Sequence, residues 1–299
     1  GNGITLSGTL TVNDALTLGS SATSCAALLM NTGATGDVFS TNGQNFSVTG
    51  SGAVTLTEGI FTVTGGTANL GDGTLTANAG AEVNHSGGTI QLGAAAVDLS
   101  SMAMWTSSGG ATMELSGTAA QSLSVNGNVA FVNLLLSNTA GAQLLAGNLS
   151  ATGNFDIRAT FTTNANQVTI GGDVSEGAAA TSSINATNSP LVSVGGNFVI
   201  DSYTAGTLLR FTGAGTWGSA GGSNFGVVEV QNNPRTLAGG ILVTSLTVNN
   251  AGTVDVNGNA LDVNGPLTVG TGTAGTLDNG IATLSSLTVA GNLLMDTNS

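Results

Sequence analysis

The residues able to carry chemistry are few and far apart. His85 is the single histidine of this 299-residue chain, and Cys25 is its single cysteine. An acid–base triad, a histidine zinc site or a phosphoryl relay needs partners within reach of the imidazole. The surrounding Asn84-His85-Ser86-Gly87-Gly88 offers only turn-forming neighbours, so His85 reads as an exposed loop residue. Hydrolysis or elimination on a polysaccharide needs clustered carboxylates, or a base beside calcium, on one face. The acids instead come singly, as at Asp14, Asp37, Glu58, Asp72, Glu82, Asp98, Glu114, Asp156, Asp173 and Asp201. Asp255 and Asp262 come nearest to a pair, but seven positions separate them. The sequence therefore points to no catalytic, cofactor-binding or metal-ligating residue, and to a protein that is not an enzyme.

Weaker motifs give the same answer. Gly71-Asp72-Gly73 and Gly171-Gly172-Asp173 echo the calcium-binding β-roll nonapeptide without completing it. Carboxylates capping their own turn amides account for both, so calcium has only this echo in its favour. Unpaired Cys25 excludes an intrachain disulfide and is expected to be a small buried apolar residue. Trp105, Trp217 and Tyr203 could form a sugar-stacking surface, although packing is the simpler role for Trp217. Thr9/Thr11, Thr55/Thr57, Thr62/Thr64 and Thr74/Thr76 suggest ice-binding ranks, but steps of 46, 7 and 12 break the regularity such ranks need. Glycosylation sequons occur at Asn45-Phe-Ser47, Asn84-His-Ser86, Asn148-Leu-Ser150 and Asn185-Ala-Thr187.

Composition narrows the partners. Only 6 % of residues are charged against 40 % hydrophobic, and 16 acids outweigh Arg158, Arg210 and Arg235 for a net charge of −13. Without a basic footprint, nucleic acid is excluded and anionic membrane surfaces are disfavoured. There is no lysine, which rules out Lys–Asn isopeptide cross-links and leaves trypsin-like proteases three sites. No apolar run approaches the roughly 18 residues of a membrane-spanning helix. The sequence opens on Gly1 with no visible signal peptide, as in a processed chain or a segment of a longer one.

The elements that would hold these residues repeat from end to end. Leu10-Thr-Val, Phe46-Ser-Val, Phe61-Thr-Val, Leu123-Ser-Val, Val168-Thr-Ile, Val192-Ser-Val, Leu246-Thr-Val, Val254-Asp-Val, Leu261-Asp-Val, Leu267-Thr-Val and Leu287-Thr-Val place a polar residue between two apolar ones. Gly or Asn commonly follows. That is a three-residue strand of period two, bounded by chain reversals. Val125, Val248, Val256, Val263, Val269 and Val289 should accordingly point inward. Strand starts at Leu246, Val254, Leu261 and Leu267 span 21 residues, with Leu287 as the next start 20 residues on. Three short strands per turn of about 20 residues define an all-β parallel β-helix, a β-solenoid. The expected domain is a single rod over residues 1–299, with roughly 14 turns and a length of about 65 Å at the spacing of stacked strands. Ala94–Met104 is the best rival helix, and its apolar spacing is poor. Two blocks, 114–138 and 210–232, resemble each other and suggest an internal duplication in which Trp217 falls opposite Gln121.

The runs Gly213-Ala-Gly-Thr-Trp217, Phe225–Asn232, Leu246–Gly258 and Leu261-Asp-Val-Asn-Gly265 resemble the strand-rich repeats of large microbial surface proteins. Those repeats are similar to autotransporter passengers and filamentous haemagglutinins, so the resemblance implies a right-handed β-helix at the cell surface or outside the cell. The resulting expectation is a non-enzymatic structural protein, a subunit of a head-to-tail filament or the stalk of an adhesin. Neither Gly1–Leu10 nor Leu287–Asp296 carries a cap, which suggests end-to-end self-association. A carbohydrate-binding adhesin segment that meets a cell-surface glycan, or a phage fibre domain, is the alternative. A polysaccharide-active β-helix enzyme and an ice-binding protein rank below these.

Overall fold

An inward apolar residue on each side of one outward polar residue makes the shortest useful strand, and these tripeptides form such strands. Phe46–Val48, Val168–Ile170, Val192–Val194 and Leu209–Phe211 are examples. Asn residues supply many of the reversals: Asn42, Asn164, Asn188, Asn232, Asn250 and Asn257 adopt positive φ between 48° and 67°, a conformation Asn tolerates better than most residues. The computed structural model describes residues 3–31, 33, 36–140, 143–177, 182–219, 222–271, 274–279 and 286–295. Among these there is no helix. Ala94–Met104, the rival helix, instead contains the strand Ala96–Asp98 and ends at the first residue of Met104–Ser107. Parallel strands stack turn on turn as a β-solenoid.

The chain forms two compact units, Gly1–Gly153 and Asn154–Ser299. In the first, one stack contains Thr9–Val12, Ala27–Asn31, Ala96–Asp98, Ser122–Ser124 and Gln143–Ala146. A second contains Leu16–Thr17, Val38–Ser40 and Met104–Ser107. The third contains Ile4–Thr5, Thr23–Cys25, Phe46–Val48, Thr112–Leu115 and Asn133–Leu136. The long strands Val54–Asn69 and Leu75–Leu92 pass through all three stacks in turn, with register shifts where they change direction.

The second unit repeats the plan. Its first stack runs from Phe155–Ile157 through Val174–Glu176 and Phe198–Ile200 to Thr253–Asp255 and Thr276–Asp278. Another includes Thr160–Thr162, Ser183–Asn185 and Ser202–Thr204, and further along the unit Ile241–Val243, Ala260–Val263 and Ser286–Val289 stack likewise. The third runs from Val168–Ile170 to Leu267–Thr271 and Leu293–Met295.

Turn length varies more than the sequence pattern suggests. Val192 pairs with Leu209, 17 positions on, whereas Leu28 pairs with Val54 and Leu261 with Leu287, each 26 positions on. These lengths scatter about the expected spacing: 19 positions separate Ile4 from its partner Thr23, and 23 separate Val254 from Leu277. The expected start Leu287 also shifts: Leu267 pairs with Leu293, and Leu287 continues the stack of Leu261. Corners vary because only the strands must match. Close approach limits them at some points, as at Gly52, where an added Cβ would lie 1.5 Å from the carbonyl oxygen of Ala26.

Inside each unit the inward residues meet. Val125, Val248, Val256, Val263 and Val269 are buried, as expected. Val289 is only half-buried, because it belongs to the last described turn of its stack. Phe39 lies 5.3 Å from Phe46 and 5.4 Å from Phe61 in the first unit. In the second, Trp217 lies 5.1 Å from Phe211 and 5.3 Å from Phe225. Each such side chain contributes about 1.5–3 kcal/mol by leaving water. Val256→Asp would place an unpaired carboxylate in this interior, and is expected to cost several kcal/mol. Unaltered thermal unfolding of that variant would show Val256 to face outward instead.

Candidate functional site

The strands take the few reactive side chains out of solvent. His85 lies in Leu75–Leu92 with 1 % of its surface exposed, which corrects the expectation of an exposed loop residue. The Gly-rich flank misleads because this strand continues through Ser86, Gly87 and Gly88. The imidazole Nε2 is 3.1 Å from the Gly88 carbonyl oxygen, and the ring meets Trp105 edge-on at 6.3 Å. Its Nδ1 is buried without a hydrogen-bond partner. Burial pushes the His85 pKa below its usual value. Cys25 is fully buried, in line with its expected packing role, and burial raises its pKa.

The aromatic residues offer no sugar platform. Trp105, Trp217 and Tyr203 are all buried. Trp105 packs on Phe131 at 5.3 Å, and Tyr203 stacks on Phe225 at 5.7 Å. Burial raises the Tyr203 pKa well beyond its ordinary value. Asp255 and Asp262 stand on different stacks, so they form no pair. Asp255 is instead in register with Asp278 on the next turn, a juxtaposition visible only once the turn length is known. Among the described residues, no group of three His, Cys, Asp or Glu is placed to hold a metal ion. Asp173 caps the following turn rather than its own: its Oδ1 accepts from the Asn197 backbone N–H at 2.7 Å. The amide oxygen of Asn197 accepts in turn from the Thr216 N–H at 2.7 Å.

Two buried polar centres escaped sequence reasoning. Arg235 is fully buried, donating through Nη1 to Gly196 and through Nη2 to Val194 and Gly195 carbonyl oxygens, the latter two at 3.1 and 3.2 Å. Its guanidinium carbon sits 4.3 Å from the Phe211 ring centroid. Desolvation brings its pKa down to about 10, against the opposing charge of Asp173. The signal for this was its inward position in Pro234–Leu237, between a Pro and a Thr that face out. In the first unit, Gln121 donates to Leu92 and Ala94 carbonyls and accepts from Gly117 and Asn138. Gln143 accepts from the Gln121 N–H at 2.8 Å. Gln121 and Trp217, the matched positions of the two repeated blocks, are both buried.

The exposed features are of two kinds. One is the last described turn of the second unit, where Leu287, Leu293, Leu294 and Met295 are 43 to 59 % exposed. The other is the set of outward columns, in which registered strands align small polar side chains. Thr17, Ser40, Thr62, Asn84 and Thr106 form one such column. Thr55 and Thr76 are also in register, but Leu29 and Asp98 interrupt their column. No protein-family model, curated protein or solved structure matches this chain. The fold defines a β-solenoid whose candidate functional surfaces are the exposed apolar side chains of Leu287 and Leu293–Met295 and its outward columns.

The lowered His85 pKa has a measurable consequence. Between its folded and unfolded pKa values the unfolded chain binds more protons, so stability falls as pH drops through about 6.5. His85→Phe should flatten the decline in melting temperature between about pH 7.5 and 5.5 relative to the parent. Burial and neighbouring Asp201 raise the Glu176 pKa, but that group contributes equally to both proteins. Parallel profiles for the two would show that His85 is not buried neutral.

Proposed function

We propose that this chain is a non-enzymatic structural solenoid of the cell exterior, whose end is covered by another turn of the same cross-section. In a head-to-tail filament that turn comes from a second copy, and in an adhesin stalk from further chain of the same kind. One observation carries the reading. Leu267 and Val269 are buried, yet their register partners Leu293 and Met295 are 55 and 59 % exposed. These side chains occupy inward positions, and among the described residues no strand pairs with the far side of Leu293–Met295. In the first described turn of the first unit, Ile4 and Leu6 are likewise exposed, at 55 and 37 %.

Backbone polarity supports the same reading. Ile4 and Leu6 donate forward to Ala22 and Ser24, so alternation along a parallel strand turns the N–H of Thr5 away from the second turn. Leu28 donates forward to Ala53, and Leu10 is its register partner. The N–H groups of Thr9 and Thr11 therefore face outward along the stack. In the last turn, Ala290 donates back to Val263, which leaves Val289 facing away. Unpaired edges of this kind template further strands unless charge, Pro or a cover blocks them. The chain has no lysine to do so. Gly1 and Asp296, part of the sequence argument about missing caps, lie outside the described residues.

The non-enzymatic reading rests on where the reactive groups are spent: His85 packs in the core and Arg235 holds carbonyl groups. The low charge and three tryptic sites suit an extracellular setting, as does the resemblance to microbial surface repeats. No turnover of polygalacturonate or alginate is expected, and turnover lost in Asp255→Asn or Asp262→Asn would overturn that reading. Purified chains should associate end to end as concentration rises, with weak dependence on salt because few ion pairs can take part. Val289→Pro or Thr11→Pro removes an outward donor without breaking an internal ladder bond, and should abolish growth. Sedimentation velocity and electron microscopy read the outcome. A parent protein that stays monomeric at high concentration would remove the filament and leave the stalk.

A further inference from the structure

We propose that the outward face of the third stack in the first unit is a binding groove for a neutral, extended polysaccharide. Thr5, Ser24, Ser47, Asn69 and Gln91 follow one another in register on successive turns. The column is polar and uncharged over all five, and every side chain is exposed or half-buried. Two cavities lie along it, of about 240 and 350 Å³, with Ser47 in the wall of both. They are near the lower end of ligand clefts, which run from roughly 300 to 1,000 Å³. Asn45 also lines the first cavity. Its Oδ1 accepts from the Thr67 N–H at 2.9 Å, so its amide nitrogen remains for a ligand.

The chemistry of the wall selects the occupant. Hydroxyl and carboxamide groups both donate and accept, which matches the hydroxyls of a sugar. The three arginines all belong to the second unit and lysine is absent, so this face has no cation for a polyanion. Asp72 on the rim of the second cavity repels one further. The spacing also fits, since stacked strands advance by about 4.8 Å per turn, close to the advance per sugar of an extended β-linked glycan. No aromatic residue lines either cavity. Each contact is therefore weak, and useful retention comes from a polymer that meets many turns or many copies at once.

The first cavity reaches Ile4 on the turn that assembly would cover, but the second lies wholly on later turns, so retention there does not depend on end-to-end assembly. Co-sedimentation with insoluble β-glucan and mannan, and affinity electrophoresis in soluble neutral glycans, test it directly. Ser47→Trp places a large side chain in the wall of both cavities and should weaken retention at least ~10-fold. Ser47→Val, which suits a strand and removes only the hydroxyl, should weaken it several-fold. Thr106→Trp, on the second stack, should leave retention unchanged. Equal retention of all variants, retention on acidic polymers alone, or no retention on any neutral polymer would each overturn the proposal. Ice-growth inhibition lost in Ser47→Trp, without glycan retention, would overturn it in favour of an ice surface. Sedimentation velocity of Ser47→Trp keeps failure of the groove distinct from failure of assembly.

Discussion

In-register parallel pairing between successive turns is the constraint from which the other features follow. It forces each inward residue to lie over an inward residue and each outward residue over an outward one. A slip by one position would turn Val254, Leu261 and Leu267 to solvent, and these are fully buried. The core is therefore a set of apolar columns, and the surface a set of polar ones. Turn length is free to vary so long as the strands meet. This freedom is why 17 residues suffice from Val192 to Leu209 while 26 separate Leu28 from Val54.

Such an interior leaves little room for polar groups, and its two largest polar centres are tied to the backbone. Arg235 meets three consecutive carbonyls and an aromatic face. Its charge costs less there than it would in a purely apolar site, because each bond to a charged donor is worth about 1.5–3 kcal/mol. Gln121 and Asn138 bind one another and the carbonyls around them. Both centres hold corners, where the ladder between strands is interrupted and backbone groups need other partners. Satisfaction is incomplete in places: His85 has one nitrogen bonded and the other buried alone, and Arg235 Nε, Trp217 Nε1 and the Tyr203 hydroxyl are also buried without a partner.

The surface follows the complementary rule. A solenoid with almost no lysine or arginine must be solvated by hydroxyl, amide and carboxylate groups, and strands accept Thr at outward positions readily. Stacking then converts a scattered composition into continuous polar columns. It also joins groups that the sequence separates, such as Asp255 and Asp278. Ion pairs are correspondingly scarce, with Arg210 on Glu229 at 2.7 Å the shorter of two found among the described residues. Cohesion rests on backbone ladders and apolar columns.

The amino-acid sequence by itself determined the strand triplets, their inward and outward sides, the all-β class and the absence of a basic face. These depend on alternation within three or four residues, and strands such as Ser245–Asn249, Thr253–Asp255, Ala260–Val263 and Leu267–Thr271 fall where the pattern places them. Which strand lies above which was decided only by the tertiary structure, because corner length sets the pairing and corners carry little periodicity. Leu287 illustrates this, joining Leu261 rather than Leu267. The fate of His85 was decided in the same way, since Gly and Ser beside it suit an exposed turn or a long strand crowded against its neighbours. The apolar ledge of Leu293–Met295 and the registered column from Thr5 to Gln91 likewise exist only after stacking, when residues about 20 positions apart come within one strand spacing of each other.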